Sequence, residues 1–238
     1  MTSAIVLAGG LGTRLRSVVP DLPKPMAIVS GRPFLEHLLD YWINQKVQHF
    51  VLSVGYRHEI IINHLGDHYK GAKIEYVIEE SPLGTGGGLL LGAQKIGHEE
   101  PFLVLNGDTF FAVNLEKLIS FSKIHKTDWC FSLFSAHEVG RYMGMDISPQ
   151  GFITSLQSTT AQEGRLANGG VYWVHPRALQ QIEFLPGDKC SLEEDIFPAA
   201  FALGQRMMGI EFSGPFIDIG VPTDYYRAAK LLAPEFTP

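Results

Sequence analysis

Residues 3–14 read Ser3-Ala-Ile-Val-Leu-Ala-Gly-Gly-Leu-Gly-Thr-Arg14, so a short apolar run ends abruptly in a turn with three glycines. The run from Ala4 to Leu7 is brief and contains β-branched residues, which is typical of a buried parallel strand. Glycines after such a strand let the backbone approach a bulky anion with its N–H groups exposed. The stretch therefore predicts a strand that opens into a phosphate-binding turn.

Two basic residues accompany this turn. Arg14 closes the stretch, and Lys24 follows within Pro23-Lys24-Pro25. A guanidinium is a planar fork for phosphate oxygens, whereas an ammonium is a compact charge that suits a centre where negative charge develops. The alternative is a purely structural glycine-rich turn beside two exposed basic side chains.

Two familiar glycine motifs are absent from the chain. A dinucleotide-binding fingerprint needs Gly-x-Gly-x-x-Gly, but Leu15 stands where the third glycine should be. A P-loop ends in Gly-Lys-Ser or Gly-Lys-Thr, and neither tripeptide occurs in the sequence. These absences argue against a dinucleotide-dependent enzyme and against P-loop kinases and GTPases.

The composition is that of an ordinary globular protein. The chain has 238 residues, 45% of them hydrophobic, and a formal net charge of −6, so we expect one domain without a broad basic surface for nucleic acid or anionic membranes. It has no apolar stretch of about 18 residues and no signal-peptide pattern, which predicts a cytoplasmic protein. Cys130 and Cys190 lack metal-ligand spacing and are expected to be free thiols.

Strand-like and helix-like runs alternate along the first half of the chain, which predicts βαβ units. Beyond Asp108 the pattern becomes mixed, and the later strands are expected to supplement the sheet in antiparallel fashion. The predicted fold class is α/β, a Rossmann-like doubly wound, mostly parallel mixed sheet in a single domain. Strands are predicted near 3–8, 48–54, 73–78, 101–106, 129–135, 143–147, 152–157, 170–174, 207–212 and 215–219. Helices are predicted near 34–46, 56–65, 86–96, 114–126, 176–183, 192–203 and 222–232.

Two aspartates stand in apolar strand contexts. Asp108 ends Phe102-Leu-Val-Leu-Asn-Gly-Asp108, and Asp218 lies within Phe216-Ile-Asp-Ile-Gly220. Carboxylates that approach one another near a core repel unless a cation lies between them, and Mg²⁺ is usually held by one or two carboxylates plus substrate phosphates. The pair predicts a magnesium site, although either residue alone is also typical of a turn or a helix cap.

A second glycine-rich segment runs from Glu79 to Gly88. We expect its glycines to let a base or ribose lie against the backbone, with Glu79 accepting two hydrogen bonds from the edge of a ring. Guanine presents two adjacent donors, whereas uracil and thymine present one donor between two acceptors, so a carboxylate favours GTP. The alternative is an exposed acid pair, Glu79 and Glu80, before a helix.

The ordered set of motifs resembles the sugar-1-phosphate nucleotidylyltransferases, also called nucleotide-diphospho-sugar pyrophosphorylases, over nearly the whole chain. Within that family the likeness is greatest to the heptose 1-phosphate guanylyltransferases. The motifs that carry the resemblance are Leu7-Ala-Gly-Gly-Leu-Gly-Thr-Arg-Leu-Arg-Ser-Val18, Pro23-Lys-Pro25, Pro82-Leu-Gly-Thr-Gly-Gly87, Asn106-Gly-Asp-Thr-Phe-Phe111, Asn168-Gly-Gly-Val-Tyr172 and Phe216-Ile-Asp-Ile-Gly-Val-Pro-Thr-Asp-Tyr-Tyr226.

The resemblance implies an enzyme that transfers a guanylyl group from GTP to a sugar 1-phosphate with Mg²⁺. It implies that Arg14, Lys24 and Asp108 are catalytic and that Asp108 and Asp218 hold the metal. Residues 1–110 would form the nucleotide-binding half and 111–238 the sugar-phosphate half. The implied nucleotide-binding residues are Leu7, Ala8, Gly9, Gly10, Gly12, Thr13, Arg14, Glu79, Gly84 and Thr85. The implied sugar-phosphate residues are Gly107, Asn168, Gly169, Glu193 and Arg165.

The chain departs from the family pattern at two places. Many relatives carry a Glu-Lys pair where this chain reads Ser155-Leu-Gln-Ser-Thr-Thr160, and Arg165 is the expected substitute for that lysine. Relatives often read Arg-Tyr-Gly where this chain has Arg141-Tyr-Met143-Gly144. A mannose 1-phosphate guanylyltransferase, an N-acetylmuramate 1-phosphate uridylyltransferase, a catalytically silent nucleotide-sugar sensor and a homodimeric assembly remain open alternatives.

Overall fold

The computed structural model describes residues 1–97, 99–136, 142, 144–158 and 164–232. The strands are β1 (Thr2–Ala8), β2 (Ile28–Val29), β3 (Arg32–Pro33), β4 (Val47–Val54), β5 (His68–Tyr69), β6 (Ala72–Ile78), β7 (Phe102–Asn106), β8 (Thr109–Phe111), β9 (Trp129–Ala136), β10 (Gly144–Ile147), β11 (Ile153–Ser158), β12 (Arg165–Val174), β13 (Met207–Glu211) and β14 (Phe216–Asp218). The α-helices are α1 (Phe34–Asn44), α2 (His58–Leu65), α3 (Gly84–Ile96), α4 (Leu115–His125), α5 (Pro176–Gln180), α6 (Phe197–Ala202) and α7 (Pro222–Leu231).

A mixed ten-stranded sheet forms the centre of the molecule. Its main path runs β11-β10-β12-β7-β1-β4-β6-β5, and β9 and β13 extend it from β12. The pairs β7–β1, β1–β4 and β4–β6 are parallel, as a βαβ rhythm requires. The expected doubly wound, mostly parallel mixed sheet of an α/β fold is confirmed.

Helices cover both faces of this sheet, because successive strand residues point to opposite sides. On β1, Ala4 and Val6 belong to one buried cluster, which also holds Leu38 and Trp42 of α1. Ile5 belongs to the opposite cluster, with Leu89 of α3. The apolar stripe of α1 is therefore core, as its helical spacing predicts.

The antiparallel addition to the sheet differs from expectation in two respects. β12 pairs antiparallel with β7 and β9, but β13 runs parallel to β9. β14 does not join the central sheet and instead pairs antiparallel with β8 in a separate two-stranded sheet. That small sheet packs with α7 on a third apolar cluster that includes Phe110 and Ile217, and it carries Asp218 toward Thr109 and Asp108.

Most element bounds lie within two or three residues of the predicted ones. The exceptions are β12, which begins at Arg165 instead of near 170, and the predicted helix 192–203, which divides into a π-helical turn, Leu192–Ile196, followed by α6. Arg141 and Met143, where the sequence departs from the family pattern, and Thr160 lie outside the described residues. In the part of the chain that the structure describes, no helix is both long and apolar enough to cross a membrane.

Candidate active site

Lys24 joins the two predicted metal-binding acids. It opens a short 3-10 turn after Pro23, and its side chain is only 9% exposed. The Lys24 Nζ donates to Asp108 Oδ2 at 2.5 Å and to Asp218 Oδ1 at 3.4 Å. A buried ammonium needs such partners, because an unpaired charge is costly away from water. The structure thus brings together three residues that the sequence places far apart.

Asp218 experiences opposing electrostatic influences at this point. Burial and the negative charge of Asp108 raise the pKa of Asp218, while Lys24 and the Gly220 N–H act in the opposite direction. The Gly220 N–H donates to Asp218 Oδ1 at 2.6 Å. Two carboxylates that share one ammonium leave one negative charge over, a donor set that suits a further cation.

A cavity of about 240 Å³ opens beside this cluster at the carboxyl ends of β1 and β7. This is where ligands bind in open α/β sheets. The cavity walls contain many of the residues expected to bind nucleotide. The lining residues are Leu7, Ala8, Gly9, Gly10, Leu11, Lys24, Pro25, Glu79, Pro82, Gly84, Thr85, Asn106 and Asp108.

The glycine turn after β1 follows the inner edge of the cavity and then turns outward. Gly12 has a positive φ of 59°, and a Cβ there would lie 3.1 Å from the Lys24 Cβ. Thr13 and Arg14 are exposed and do not line the cavity. The structure therefore brings Gly9 and Gly10 to the cavity wall, whereas Arg14 is an exposed residue beside it.

Glu79 also lines the cavity. Its carboxylate accepts hydrogen bonds from two different segments of the chain. The Ser53 hydroxyl donates to Glu79 Oε1 at 2.8 Å, and the Leu83 N–H donates to Glu79 Oε2 at 3.1 Å. A Cβ on Gly9 would lie 2.1 Å from Glu79 Oε1. Gly9 is therefore required for the close approach of this carboxylate to the turn after β1.

The second glycine-rich segment lies partly within α3, in agreement with the helix predicted near 86–96, so its last three glycines do not offer an open backbone surface to a base or ribose. Gly84 begins α3, and Gly86, Gly87 and Gly88 are buried within it. The N–H groups of Gly86 and Gly87 both donate to the Cys190 carbonyl. These glycines serve helix packing against the later half of the chain, because side chains would collide there. Of the residues of α3, Gly84 and Thr85 line the cavity, and Glu79 and Pro82 line it from the segment before the helix.

Gly107 also has a structural role. Its N–H donates to the Leu7 carbonyl at 2.9 Å, and a Cβ would lie 2.6 Å from the Leu7 oxygen. Its neighbour Asn106 lines the cavity, and among the described residues no donor reaches its buried Oδ1. Asn106 is therefore a polar group of the cavity wall that was not predicted from the sequence, because the aspartate two residues later is the stronger signal in the Asn-Gly-Asp motif.

The residues expected to bind the sugar form a second polar group, next to the cavity. The Asn168 side chain donates to the Tyr172 hydroxyl at 2.8 Å, and Glu193 accepts from Thr85 at 3.0 Å. Burial and then the charges of Glu193 and Asp108 raise the pKa of Tyr172. Both acids therefore lie near this phenol. Gly169 instead faces Phe111, where a Cβ would lie 2.4 Å from the ring.

Arg165 lies at the start of β12, three positions before Asn168. Its guanidinium is 3.7 Å from Asp146 Oδ1, with the side chain 15% exposed. It covers Gly144, where a Cβ would lie 2.0 Å from the arginine Nε. Arg165 is thus engaged with β10 and does not line the cavity.

Ser53 and Tyr56 are two further residues near the site that the sequence analysis did not single out. Ser53 is fully buried on β4. The Tyr56 ring lies beneath the guanidiniums of Arg16, at 4.7 Å, and Arg57, at 5.5 Å. A polar residue near the end of a buried parallel strand is the only sequence signal for Ser53, and nothing in the pattern marks the stacking at Tyr56.

Comparison with known proteins gives consistent results. The Nucleotidyl transferase family matches residues 3–235. D-glycero-alpha-D-manno-heptose 1-phosphate guanylyltransferase of Aneurinibacillus thermoaerophilus is 39% identical, over 96% of this chain and 97% of that protein. The protein of the same name from Campylobacter jejuni is 37% identical, over 94% and 97%. The crystal structure of HddC from Yersinia pseudotuberculosis complexed with GMP-PN matches with a TM-score of 0.83 and 35% identity, over 97% of this chain and 99% of that one.

Proposed function

Because the chain belongs to the nucleotidyl transferase family, we propose that it transfers a guanylyl group from GTP to D-glycero-α-D-manno-heptose 1-phosphate, giving GDP-heptose and pyrophosphate. The observation that carries the proposal is the convergence of Lys24, Asp108 and Asp218 beside a cavity lined by Gly9 and Glu79. The names of the two bacterial relatives and of the nucleotide in the Yersinia complex support the choice of substrates.

The reaction needs little covalent chemistry from the protein. A phosphate oxygen of the sugar 1-phosphate attacks the α-phosphorus of GTP, and a P–O bond forms there. The bond between the α-phosphorus and the bridging oxygen breaks, and pyrophosphate leaves with the electron pair. A phosphate monoester has a second pKa of about 6 and is mostly dianionic at neutral pH, so no general base is required. Catalysis then depends on positioning and on neutralising charge.

The basic residues supply part of that neutralisation. Lys24 lies between the acids and the cavity, where its ammonium can contact the reacting phosphates. Arg14 follows Gly12, which packs on Lys24, and its exposed guanidinium is available to the departing pyrophosphate. Gly9 and Gly10 line the triphosphate side of the cavity, and Glu79 receives the base.

The acids fit a divalent cation. Asp108 and Asp218 converge on one ammonium and so leave one negative charge over. Proteins usually hold Mg²⁺ with one or two such carboxylates together with substrate phosphates. Asp108 and Asp218 would hold it, and the bound ion would supply positive charge to the triphosphate. Among the described residues, no group of three or more His, Cys, Asp or Glu side chains forms a separate metal site.

The metal assignment has its own test. We expect Asp218→Asn to raise the Mg²⁺ concentration needed for half-maximal activity about tenfold and to lower activity at saturation, because one charged ligand is lost. Titration of pyrophosphate release against Mg²⁺ measures both values. An unchanged Mg²⁺ requirement would remove Asp218 from the metal site.

The sugar is expected to lie on the side of the cavity formed by the later half of the chain. Asn168 and Glu193 present polar atoms near Thr85 and Tyr172, so we assign the sugar hydroxyls to them. Gly107 and Gly169 would shape the sugar side by close backbone packing. Arg165 would reach the sugar phosphate only by leaving Asp146. Residues 1–110 then form the nucleotide-binding half and residues 111–238 the sugar-phosphate half.

A substrate matrix tests the proposal. Pyrophosphate release is measured with GTP, UTP, ATP and CTP, each against the 1-phosphates of the heptose, mannose and N-acetylmuramic acid. We expect the highest kcat/KM for GTP with the heptose 1-phosphate, by at least tenfold. Activity with UTP alone, or a preference for mannose 1-phosphate, would overturn the substrate assignment. No release with any pair would favour a nucleotide-sugar sensor.

A further inference from the structure

The reaction as proposed gives no role to the Ser53 hydroxyl. Ser53 is the residue before the last one of β4, and none of its surface is exposed. Its neighbours Leu52 and Val54 belong to the apolar core. A buried hydroxyl without a partner is destabilising, and here the partner is Glu79 Oε1 at 2.8 Å. The hydroxyl is therefore committed to this one carboxylate.

The Glu79 carboxylate is fixed against rotation by two donors of different origin. Ser53 on β4 donates to Oε1, and the Leu83 N–H, just before α3, donates to Oε2. Each carboxylate oxygen has two acceptor positions, so each retains one for a ligand. The carboxylate then presents two neighbouring acceptors in a defined orientation.

Steric contacts hold the same orientation. A Cβ on Gly9 would lie 2.1 Å from Glu79 Oε1, and one on Gly88 would lie 3.0 Å from the Ser53 Oγ and 3.1 Å from Glu79 Oε1. The hydrogen-bonded pair therefore occupies a narrow slot between two glycines. Oε1 lies against Gly9, and both Gly9 and Glu79 line the cavity.

Orientation matters because the candidate bases differ in the order of their donors. Guanine offers adjacent N1–H and N2–H groups, which match two fixed acceptors. Uracil offers one N–H between two carbonyls. When the carboxylate is fixed, one of its oxygens therefore faces a uracil carbonyl, and the two oxygens repel one another. A carboxylate free to rotate can turn that oxygen aside, and its selectivity falls.

We propose that Ser53 is a positioning residue that sets the nucleotide preference by locking the Glu79 carboxylate. The inference rests on the proposed use of GTP. Ser53 acts only through Glu79, so its loss changes the choice between bases more than the rate of phosphoryl chemistry.

The test compares kcat/KM for GTP and for UTP in Ser53→Ala. We expect the GTP-to-UTP ratio to fall about tenfold, mainly through a higher KM for GTP, with kcat for GTP within about twofold of the wild-type value. Ser122→Ala is the matched control, because Ser122 of α4 is also a buried serine. Its hydroxyl is hydrogen-bonded to the Thr127 hydroxyl at 2.7 Å. That control should leave the ratio unchanged. Ser53→Thr, which keeps the hydroxyl, should retain the wild-type ratio.

A double-mutant cycle separates positioning from general destabilisation. We expect Ser53→Ala combined with Glu79→Gln to give the same GTP-to-UTP ratio as Glu79→Gln alone. Ser53 acts only through the Glu79 carboxylate, and Glu79→Gln already removes that carboxylate. An equal loss of activity with both nucleotides, or additive effects in the cycle, would overturn the inference. A wild-type enzyme that does not prefer GTP would instead overturn the proposed function.

Discussion

At the scale of single residues, Lys24 is the centre of the site's electrostatics. Its ammonium lies between carboxylates from β14 and from the turn after β7. Removing it leaves Asp108 and Asp218 facing one another without the internal cation, and it also removes a positive charge at the cavity wall. Because the Lys24 side chain is only 9% exposed, that charge is screened less than a charge on the open surface.

Lys24→Ala should lower kcat about 100-fold while changing KM for GTP less than fivefold, because the ammonium is expected to act most strongly as charge develops in the transition state. Steady-state kinetics of pyrophosphate release measures both constants. Lys95→Ala, an exposed lysine of α3, is the control and should match the wild type. A raised KM with an unchanged kcat would instead indicate that Lys24 binds ground state and transition state equally.

The two cysteines give a second prediction at this scale. Both are buried free thiols, and burial raises the pKa of Cys190 to about 11, with Asp195 and Asp188 adding to the rise. A raised pKa lowers the thiolate fraction, to about one part in a thousand at pH 8, and the thiolate is the reactive form.

Iodoacetamide at pH 8 should therefore leave Cys130 and Cys190 unmodified in the folded protein for hours. Both should react within minutes in 8 M urea, where burial is lost. Mass spectrometry of tryptic peptides measures the modification. Rapid labelling of Cys190 in the folded state would contradict the burial described for it.

At the scale of elements, the turn after β1 is anchored from the end of β4. The guanidiniums of Arg16 and Arg57 both lie over the Tyr56 ring, and Arg57 also donates to the Asp21 carbonyl. Leu15 is buried in the third apolar cluster. Residues 12–21 are thus held by the burial of Leu15 and by the contacts of Arg16 with Tyr56 and of Asp21 with Arg57.

Tyr56→Leu should raise KM for GTP about fivefold and accelerate tryptic cleavage after Arg14 and Arg16, because two cation–π contacts of about 0.5–1 kcal/mol each are lost. Tyr56→Phe keeps the ring and should behave like the wild type in both measurements. If the phenylalanine variant were as impaired as the leucine variant, the ring contacts would not anchor the turn.

Elements with strong periodicity could be predicted from the sequence. The apolar strands β1, β4 and β6 and the stripe of α1 have bounds close to the expected ones, because local pattern determines them. The pairing of β14 with β8 could not be predicted, since three-residue strands carry no register signal and their pairing depends on packing against α7. Glycine has a low helix propensity, which explains why α3 begins at Gly84, two residues before its predicted start.

Part of the candidate site could likewise be predicted from the sequence, and part could not. Gly9, Glu79 and Asp108 come together because each follows the carboxyl end of a parallel strand. Lys24 lies in the 3-10 turn before β2, and it joins them through its ion pair with Asp108. The support of Glu79 by Ser53 and the involvement of Gly107 with Leu7 depend on which side chains and carbonyls face each other across strands. That information is not contained in motif spacing.

At the scale of the whole molecule, one sheet and two large apolar clusters join residues 1–110 to the rest of the chain. β12 pairs with β7 from Val171 to Val174, and the largest apolar clusters draw residues from both sides of residue 110. A chain that shares its core in this way is expected to unfold cooperatively.

Thermal unfolding should therefore show one transition, with coincident far-ultraviolet circular dichroism and tryptophan fluorescence curves. GTP with Mg²⁺ at about 100 times its Kd should raise Tm by about 5 °C, since ligand binding at that excess adds about 2.7 kcal/mol. ATP at equal concentration is the control and should raise Tm less. Two separated transitions would show that the halves are independent units.

The contact between α3 and the Cys190 segment constrains the two partners unequally. Gly84 and Gly87 lie so close that a Cβ would be 2.5 Å from the Cys190 oxygen and 2.4 Å from the Asp188 oxygen. Carbonyl oxygens are the same in every amino acid, whereas only glycine lacks the Cβ. In a library of single variants, positions 84 and 87 should tolerate almost no replacement, while Asp188 and Lys189 should vary widely. At this contact, sequence diversity would then accumulate in the Cys190 segment and not in α3.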